Sequence, residues 1–554
     1  MTPPPWRRAE PSADDVAALA AQGPLPPLAA ELLCAFVPEP SRREVFLASG
    51  PPEFPGPPAF PALAPAAERL VRALAGSERI LVHGDYDVDG LMGAAVLAGG
   101  LRALGGKVSA FIPSRFEGGY GLSEASLRAV RDEGATLVVT VDCGTNARDV
   151  GEALAALGVD LIVADHHAPD PGRQPPGLLV NPHLGGADPE LRSLCGAGVA
   201  YLLVRAVSEV LGRALPPEPF LRLLAIATVA DVVPQSGLNR RLCKAGFRAL
   251  EETPNPGLAL LLSRCPTEGG VGSRHVGFYL APRFNAAGRI EDARLVLELL
   301  LERDPAAAAR MVGRLEALNE TRKVLQAEAL EGASRALSGQ EGLPVAFAAS
   351  SGWHRGVVGP VASRLAERAR KSAFVAAVEG DFATGSGRGW GGDNVTERLR
   401  AASDLLERFG GHQGAAGFTV RAGRLSALES RLQSAASAAG APARLRAYFP
   451  LPVSRLDDAW RALNFLDPLG PGVTEPQFGL ADLKVRQRRV MKERHLAWDV
   501  EGPEGRALRL LAWDGVASGW NGESIGPGKL VVGRILSELR RGGAPYYIEV
   551  TDIL

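Results

Sequence analysis

Short apolar runs alternate with Ala- and Leu-rich stretches through the first half of the chain. The runs with a strand pattern are residues 80–82, 108–112, 137–139 and 161–164, and the stretches with a helical pattern are residues 91–104 and 148–157. This strand–helix rhythm is typical of a mostly parallel sheet with helices on both faces. Residues 197–230 are largely apolar and predict buried helices that follow the sheet.

The same rhythm returns in a second, smaller unit. Residues 303–338 have a strong helical pattern with many charges and no Pro after Pro305, which predicts a long connecting helix. Beyond it, residues 345–349, 357–370 and 372–378 follow a strand, helix, strand order. The Ser- and Ala-rich residues 426–443 predict a helix and a linker. We therefore expect a second α/β domain over residues 339–440.

The pattern changes again after Phe478, where strand-like runs alternate with turns that contain Gly or Pro. These runs are residues 483–490, 495–500, 508–513, 529–536 and 546–553. They predict an antiparallel OB-like β-barrel of about five strands. Residues 1–60 are rich in Pro and Ala and carry few periodic signals. The predicted fold is thus multidomain α/β. Its parts are an N-terminal extension (residues 1–60), a parallel-sheet domain (61–302), a connecting helix (303–338), a smaller α/β domain (339–440), and a linker with the barrel (441–554).

Composition narrows the class of protein only a little. The 554 residues carry a net charge of −1, so no global basic field indicates nucleic acid, although a local groove would suffice. The five cysteines are scattered without a CxxC spacing, which supports neither a disulfide framework nor a zinc site. The chain shows no signal peptide and no apolar run of about 18 residues. A cytoplasmic protein without a membrane span is expected.

Carboxylates and imidazoles gather where four of the apolar runs end. The four segments are residues 83–90, 142–144, 165–167 and 230–231. Because the carboxyl ends of parallel strands meet at one edge of a sheet, these side chains are expected to lie together. Asp85 and Asp87 face the same side if the backbone there is extended. The set predicts a cage for two divalent ions, and its mixed Asp and His donors suit Mn²⁺ better than Mg²⁺.

Each segment alone has a simpler interpretation. Asp89 with Gly90 reads as a helix N-cap and turn, and the pair His166 and His167 could be structural. Cys143 reads as a packing residue rather than a ligand. One His could contact a phosphate oxygen or protonate the leaving group instead of binding metal. The joint occurrence at successive strand ends favours the two-metal interpretation.

The ordered motifs resemble the DHH phosphoesterase superfamily and, within it, the RecJ family of single-strand-specific exonucleases. The resemblance covers about residues 75–554. In the first unit it rests on residues 83–90, 113–122, 140–144, 165–167, 181–182, 227–234 and 281–289. The second unit resembles the associated DHHA1 domain at residues 352–359, 385–388 and 410–417.

The resemblance implies a catalytic centre. It implies metal ligands at His83, Asp85, Asp87, Asp142, His166 and Asp231. His167 would contact the scissile phosphate and act in catalysis with Asp142 and Asp85. The cofactors would be two divalent metal ions, Mn²⁺ or Mg²⁺.

The resemblance also implies an activity and partners. The expected function is a two-metal exonuclease that degrades single-stranded DNA from the 5′ end to 5′-mononucleotides, in DNA repair and recombination. Expected partners are single-strand-binding protein and a RecQ-type helicase, and the chain is expected to be a monomer. Many bacterial members continue past the barrel, so a C-terminal partner-binding domain is expected to be missing here.

Candidate substrate-binding residues lie outside the metal motifs. Ser386, Gly387 and Arg388, in a predicted Gly-rich turn, suit a 5′-terminal phosphate, and His412 suits a further backbone phosphate. Small-residue packing or a flexible turn would explain the same glycines. Arg115, Arg283 and Arg289 are predicted in turn-like segments near the metal motifs, where they either contact phosphate or are surface charges.

The barrel region interleaves basic and aromatic residues, a pattern that suits single strands. The basic ones are Arg486, Arg488, Arg489, Lys492 and Arg494, and the aromatic ones are Trp498, Trp513 and Trp520. Trp498 and Trp513 could equally belong to the barrel core.

Two positions depart from the family pattern, and three other functions are alternatives to the exonuclease. Gly389 stands where Ser is expected after Arg388, and residues 468–476 replace a usual Gly-Asn-Pro turn.

The alternatives are a phosphodiesterase of short oligonucleotides or cyclic dinucleotides, a non-catalytic DNA-binding scaffold, and a metal-dependent pyrophosphatase. The predicted barrel and the retained ligand set favour the exonuclease.

Overall fold

The structure is a computed structural model, and its description covers most of the chain. The described residues are 6–37, 39–47, 52–54, 60–116, 121–185, 187–265, 267, 270–337, 342–435, 446–473, 475–493, 495–503, 505–513, 515–516, 519–520, 524–537 and 546–554. Two compact units divide them, one built from residues 286–292 and the described part of 314–445, and the other from the remaining described residues.

A parallel sheet forms the first half of the larger unit. The elements in chain order are β1 (Trp6–Arg8), α1 (Ala13–Ala20), α2 (Ala29–Phe36), α3 (Pro40–Leu47), α4 (Leu63–Ala75), β2 (Arg79–Gly84), α5 (Val88–Ala103), β3 (Lys107–Phe111), α6 (Glu124–Glu133), β4 (Leu137–Val141), α7 (Arg148–Ala156), β5 (Asp160–Ala164) and β6 (Leu178–Val180). Strands β3-β2-β4-β5-β6 form a five-stranded sheet in which every pairing is parallel. The predicted parallel-sheet domain is confirmed.

Helices follow the sheet, as the apolar pattern predicted. They are α8 (Gly196–Val210), α9 (Glu218–Ala230), α10 (Gly237–Glu251), α11 (Pro256–Ser263), a π-helix (His275–Leu280), α12 (Ala281–Ile290), α13 (Arg294–Leu301) and the long α14 (Pro305–Ala336). Helix α5 packs closely on α8, because Gly93 approaches Ala197 and Gly100 approaches Val204 where a Cβ would clash. Gly93 also approaches Val141, so this close packing places the first turn of α8 next to the end of β4. Among the described helices, none is both long and apolar enough to cross a membrane.

The smaller unit contains a mixed sheet. Its elements are β7 (Ala346–Ser350), α15 (Val358–Ala369), β8 (Ala373–Glu379), β9 (Phe382–Arg388), α16 (Val395–Arg400), β10 (Leu406–His412), β11 (Ala415–Arg421) and α17 (Leu425–Ser434). The strand order is β10-β11-β9-β8-β7, with β7 and β8 parallel and the other pairs antiparallel.

The predicted Gly-rich turn at Ser386, Gly387 and Arg388 is wrong, because these residues belong to strand β9. A Cβ at Gly385 would lie 2.1 Å from the Phe418 ring, and one at Gly387 would lie 2.7 Å from the Phe374 ring. The glycines therefore make room for rings from neighbouring strands instead of reversing the chain.

The C-terminal region contains β12 (Arg446–Pro450), α18 (Leu456–Leu466), β13 (Phe478–Ala481), β14 (Lys484–Met491), β15 (His495–Glu501), β16 (Ala507–Ala512), β17 (Leu530–Ser537) and β18 (Tyr546–Ile553). The last five strands confirm the five predicted runs. They belong to a sheet of eight strands in the order β1-β12-β13-β17-β18-β16-β15-β14. Among the described residues the pairings do not link β14 back to β1, and three of the seven pairings are parallel.

The N-terminal segment is more structured than its sequence pattern indicated. Strand β1 pairs with β12, with Trp6 opposite Arg446. Leu32 of α2 is buried in the same hydrophobic core as Leu456 and Trp498. The extension is therefore part of the C-terminal core, a long-range contact that local periodicity does not reveal. The other domain boundaries stay predictions.

Candidate functional site

The edge where β2, β4 and β5 end collects the predicted site residues. His83 lies at the end of β2 and pairs in register with Thr140 of β4. Asp142 follows β4 directly, and Asp165 follows β5. Asp231 caps the C-terminal end of α9. The sheet and one helix end thus deliver side chains from four distant parts of the sequence to one place, as the carboxyl edge of a parallel sheet does in other proteins.

Asp142 is held in an unusual backbone conformation. Its φ of 59° lies in the left-handed region, and its amide donates to the Ala164 carbonyl at 3.1 Å. Gly196, at the start of α8, approaches so closely that a Cβ there would lie 2.6 Å from Asp142 Cβ. Left-handed conformations of non-Gly residues cluster at functional sites, where the surrounding structure enforces them.

Three groups of side chains bring their ligand atoms within 4.8 Å of one another. They are Asp85 with Asp87 and Asp142, Asp142 with His166 and His167, and Asp89 with His166 and Asp231. His166 Nε2 lies 3.1 Å from Asp142 Oδ1 and 3.7 Å from an oxygen of both Asp89 and Asp231. Because Asp142 and His166 each belong to two groups, the arrangement offers neighbouring cation positions with shared donors.

The electrostatics of these groups suit bound cations. Burial, and then the charges of Asp89, Asp87, Asp85 and Asp231, raise the pKa of Asp142 well above its ordinary value. Burial, and then the charges of Asp89 and Asp87, raise the pKa of Asp231 to about 8. Asp85 Oδ1 is buried and accepts no hydrogen bond from the described residues. Carboxylates crowded in this way repel one another, and divalent cations that prefer oxygen and imidazole donors relieve the repulsion.

Asp165 orients the two histidines that follow it. Its carboxylate accepts hydrogen bonds from the backbone amides of Thr145, His166 and His167, and from His167 Nδ1 at 2.8 Å. Burial opposes the charge of Asp165, but the His167 hydrogen bond and charge outweigh it and lower the pKa of Asp165. Burial also opposes the charge of His167, yet Asp165 raises the pKa of His167 to about 9. Asp165 is therefore a positioning group, while His166 and His167 face the cluster.

His83 is buried and forms contacts through both ring nitrogens. Nε2 lies 2.9 Å from Ser126 Oγ, and Nδ1 lies 3.7 Å from Cys143 Sγ. Burial lowers the pKa of His83 to about 4, so the ring is neutral, which is the form that binds metal. His83 lies outside the three ligand groups, and its assignment as a ligand stays a prediction. Cys143 is fully buried, in keeping with a packing role.

The interpretation of Asp89 as the N-cap of the helix that it begins is wrong. The N-cap of α5 is Asp87, whose side chain accepts from the Gly90 amide at 3.1 Å. Asp89 instead accepts from the amides of Gly196 and Ala197, at 2.6 and 2.8 Å, and so caps α8. It also lies within the third ligand group. The signal was present, since Asp85, Asp87 and Asp89 alternate in sequence, but the partner helix lies more than 100 positions away.

The three arginine candidates predicted near the metal motifs lie in different settings. Arg115 stacks on the Tyr86 ring, with its guanidinium carbon 4.0 Å from the ring centroid. Arg283 and Arg289 lie within helix α12, so their predicted turn-like setting is wrong. Their contacts with phosphate stay predictions.

In the smaller unit, Arg388 and Ser386 meet the start of α15. Arg388 Nη1 donates to Ser386 Oγ at 2.6 Å and to the Gly387 carbonyl at 2.9 Å. A Cβ at Gly359, in the first turn of α15, would lie 3.2 Å from Arg388 Nη2. A guanidinium, a hydroxyl and a helix N-terminus are together suited to an anion. His412 lies at the end of β10, where its Nδ1 accepts from the Gly414 amide at 3.2 Å.

The C-terminal candidates divide into core and surface. Trp498 is fully buried in the core, whereas Trp513 is 49% exposed, so the core interpretation holds only for Trp498. Trp520 packs against the same core and is partly buried. The basic candidates Arg486, Arg488 and Arg489 lie on β14, Lys492 follows it, and Arg494 lies outside the described residues.

Comparison with known proteins finds the same domains and similar whole chains. Residues 79–228 match the DHH family N-terminal domain, and residues 342–439 match the DHHA1 domain. The single-stranded-DNA-specific exonuclease RecJ of Thermus thermophilus is 38% identical over 496 residues, which cover 88% of this chain and 70% of that protein. RecJ of Bacillus subtilis is 35% identical over 438 residues, which cover 78% of this chain and 55% of that protein.

The fold is also similar to a solved structure over almost its full length. The crystal structure of Thermus thermophilus RecJ in complex with Mn²⁺ superimposes with a TM-score of 0.77 and 32% identity, and the match covers 99% of this chain and 79% of that chain. The structure of the same protein with Mg²⁺ superimposes with a TM-score of 0.71 and 31% identity.

Proposed function

The chain belongs to the RecJ family of single-stranded-DNA-specific exonucleases, and on that premise we propose that it degrades single-stranded DNA from the 5′ end to 5′-mononucleotides. One observation carries the proposal. Asp142 and His166 are each shared between groups of ligand atoms at the carboxyl edge of the sheet. This is the donor arrangement that a pair of divalent cations needs for phosphodiester hydrolysis.

Most of the predicted site residues would act as metal ligands. Asp85, Asp87, Asp142, His166 and Asp231 would hold the cations, with His83 as a further predicted ligand. When bound, Mn²⁺ or Mg²⁺ supplies Lewis acidity and lowers the pKa of a bound water.

His167 lies beside the metal ligands and would act as a hydrogen-bond donor through its protonated imidazole ring. Its side chain is 45% exposed, and its Nδ1 is held by Asp165, which keeps the ring cationic. A cationic ring at this position can donate a hydrogen bond to a phosphate oxygen of the strand.

A digestion assay tests the proposal. Labelled single strands with either a 5′-phosphate or a 5′-hydroxyl, and matching duplexes, are incubated with the protein and Mn²⁺, with EDTA as a control. We expect 5′-mononucleotides to be released from the 5′ end of single strands, little release from duplexes, and none in EDTA. Release from the 3′ end, or equal digestion of duplexes, would contradict the proposal. Hydrolysis confined to dinucleotides would favour the phosphodiesterase alternative.

Arg388→Ala is expected to reduce the preference for a 5′-phosphate without abolishing hydrolysis. Charge-assisted hydrogen bonds contribute roughly 1.5–3 kcal/mol, so we expect a loss of about tenfold or more on 5′-phosphorylated strands. The rate on 5′-hydroxyl strands should change little. Single-turnover rates on matched oligonucleotides measure the ratio. Arg424→Ala, at an exposed position of the same unit, is the control. An unchanged ratio in Arg388→Ala would place recognition of the terminal phosphate elsewhere.

The exposed residues of the C-terminal sheet are proposed to bind the strand beyond the metal centre. β14 ends the strand order, and Arg488 is exposed on it. Trp513 is half exposed and stacks edge-on against His495, with ring centroids 5.1 Å apart. Arg486 and Arg489 form ion pairs with Glu501 and Asp499 that a phosphate would have to replace.

The double variant Arg488→Ala with Trp513→Ala is expected to weaken single-strand binding about tenfold or more, since stacking alone contributes about 1–3 kcal/mol per base. The slope of log affinity against log salt should fall by about 0.7, for one lost phosphate contact on a single strand. Fluorescence anisotropy with a labelled oligonucleotide measures both. Arg8→Ala, on the opposite end strand of the sheet, is the control. Unaltered affinity and slope would exclude this surface. Deleting the strands after Phe478 is less informative, because Phe478 and Trp498 share their core with α2.

Further aspects of the biological role stay predictions. They are single-strand-binding protein and a RecQ-type helicase as partners, a monomeric state, a cytoplasmic location, and a role in repair and recombination.

A further inference from the structure

A π-helix near the metal centre exposes an aromatic ring. Residues His275–Leu280 form the π-helix, which leads directly into α12. Its Phe278 is 68% exposed, and Val232 is 63% exposed, the highest values among the large hydrophobic side chains that the structure describes. π-Helical turns are rare and are frequent at functional sites. An exposed Phe on such a turn therefore suggests a ligand.

The π-helix lies against the helix end that carries Asp231. A Cβ at Gly277 would lie 3.5 Å from Val229 Cγ1, in the last turn of α9. Val232 follows Asp231 with a left-handed φ of 61°, a conformation that β-branched residues rarely adopt. Both exposed apolar residues thus belong to segments next to Asp231: Val232 follows it in sequence, and the π-helix that carries Phe278 packs on the last turn of α9.

Cationic side chains accompany the exposed ring. The Arg274 guanidinium carbon lies 5.1 Å from the Phe278 ring centroid, and Arg274 Nε is buried without a hydrogen-bond partner among the described residues. In the following turn, the Arg283 guanidinium carbon lies 3.6 Å from the Tyr279 ring centroid. An isolated ring with guanidinium groups beside it is suited to a base attached to a phosphate, because the ring stacks on the base while the cations neutralise the backbone. A docking site for a protein partner would need a larger contiguous apolar patch.

We propose that Phe278 is a base-stacking residue that positions the nucleotide beside the scissile phosphodiester, with Arg274 and Val232 bordering the stacked base. This inference rests on the proposed exonuclease function and deepens it. A base in a duplex is already stacked between its neighbours, so it cannot stack on Phe278 without being unpaired. The ring therefore contributes to the preference for single strands by favouring nucleotides whose bases are free to stack on the protein.

Abasic substitution tests the proposal together with three variants. Phe278→Ala removes the ring, Phe278→Leu keeps an apolar side chain without a π-system, and Phe278→Trp enlarges the ring. The substrates are 5′-phosphorylated oligo-dT strands that carry one tetrahydrofuran abasic site at each of the first five positions in turn. Stacking free energies of about 1–3 kcal/mol predict that wild type loses about tenfold in single-turnover rate when one particular position is abasic.

The variants should change that pattern in a specific way. Phe278→Ala should cleave the intact strand about tenfold more slowly and lose the position-specific abasic effect, since the stacking contribution is already absent. Phe278→Trp should retain both, and Phe278→Leu should lie between. Phe382→Ala is the matched control, because Phe382 is also exposed, at 41%, and lies beside Arg421, whose guanidinium carbon is 5.3 Å from its ring centroid.

Affinity in EDTA, measured by anisotropy with intact and abasic strands, separates binding from catalysis. A larger intact-to-abasic affinity ratio in wild type than in Phe278→Ala is expected. The proposal is overturned if wild type digests the strands but shows no abasic effect, or if Phe278→Ala keeps that effect. Equal losses in Phe278→Ala and Phe278→Trp would also overturn it and indicate a structural role. Failure of wild type to digest any strand would instead refute the proposed function.

Discussion

Asp142→Asn should lose hydrolysis of single-stranded DNA by a factor on the order of 10³ or more. Its carboxylate belongs to two of the three ligand groups, so its neutralisation removes a donor that both cation positions share. Metal ions contribute several kcal/mol of transition-state stabilisation, and each 1.36 kcal/mol corresponds to tenfold in rate. Single-turnover digestion in saturating Mn²⁺ measures the loss. Near wild-type turnover would refute the shared-ligand assignment.

The same substitution should stabilise the metal-free protein. Burial and four neighbouring carboxylates raise the pKa of Asp142, so its ionised form destabilises the folded state. Removing the charge relieves this repulsion, and thermal unfolding in EDTA should occur at a higher temperature than in wild type. In saturating Mn²⁺ the order should reverse, because the wild type gains binding free energy that the variant lacks. Asp149→Asn, at an exposed position of α7, should change neither quantity.

Asp165→Asn should reduce activity by about 10–100-fold, the usual effect of losing a partner that orients a metal-site residue. The carboxylate that holds His167 Nδ1 at 2.8 Å would lose its charge, while the amide retains its shape. Single-turnover rates in saturating Mn²⁺ measure the effect. Full activity in the variant would show that the orientation of His167 does not matter for hydrolysis.

The stability of the metal-free protein provides a second measure of the same pair. Loss of a hydrogen bond to a charged group should cost about 2 kcal/mol. The pKa of His167 is raised from 6.5 to about 9, so its contribution is full below pH 6.5 and is lost as the pH rises through 9. The pKa of Asp165 is lowered from 3.8, so its contribution is present above pH 3.8 and is lost as the pH falls. The difference in unfolding free energy between wild type and Asp165→Asn should therefore be largest between pH 3.8 and 6.5. A difference that grows above pH 9 would contradict this assignment.

Local patterns predicted the catalytic sheet well. Each of its buried strands is a short apolar run, and the carboxyl ends of parallel strands must meet, so the sequence alone predicts that Asp85, Asp142 and His166 lie together. The five C-terminal strands could also be predicted, because turns that contain Gly or Pro separate their strand-like apolar runs. Periodicity predicts elements whose burial depends on their own sequence.

Long-range contacts explain what the sequence did not predict. Asp89 reads as a local cap, and only the packing of α5 on α8 brings it to the Gly196 amide. Helices α2 and α3 and the residues around them lack a strong period because they pack on α18 and the C-terminal strands. A Cβ at Gly389 would lie 3.3 Å from the Gln413 carbonyl oxygen, which belongs to a turn 24 positions further along the chain. Such contacts are set by the tertiary fold, which short windows of sequence do not contain.

The measurement that tests the two-cation centre most directly is a titration of the metal-free protein with Mn²⁺, followed by calorimetry and by single-turnover digestion of a 5′-phosphorylated single strand in parallel samples. The account predicts two ions per chain in wild type, with hydrolysis rising as the second position fills. It also predicts loss of both stoichiometric binding and hydrolysis in Asp142→Asn. Full hydrolysis with one bound ion, or two ions and full hydrolysis in Asp142→Asn, would contradict it.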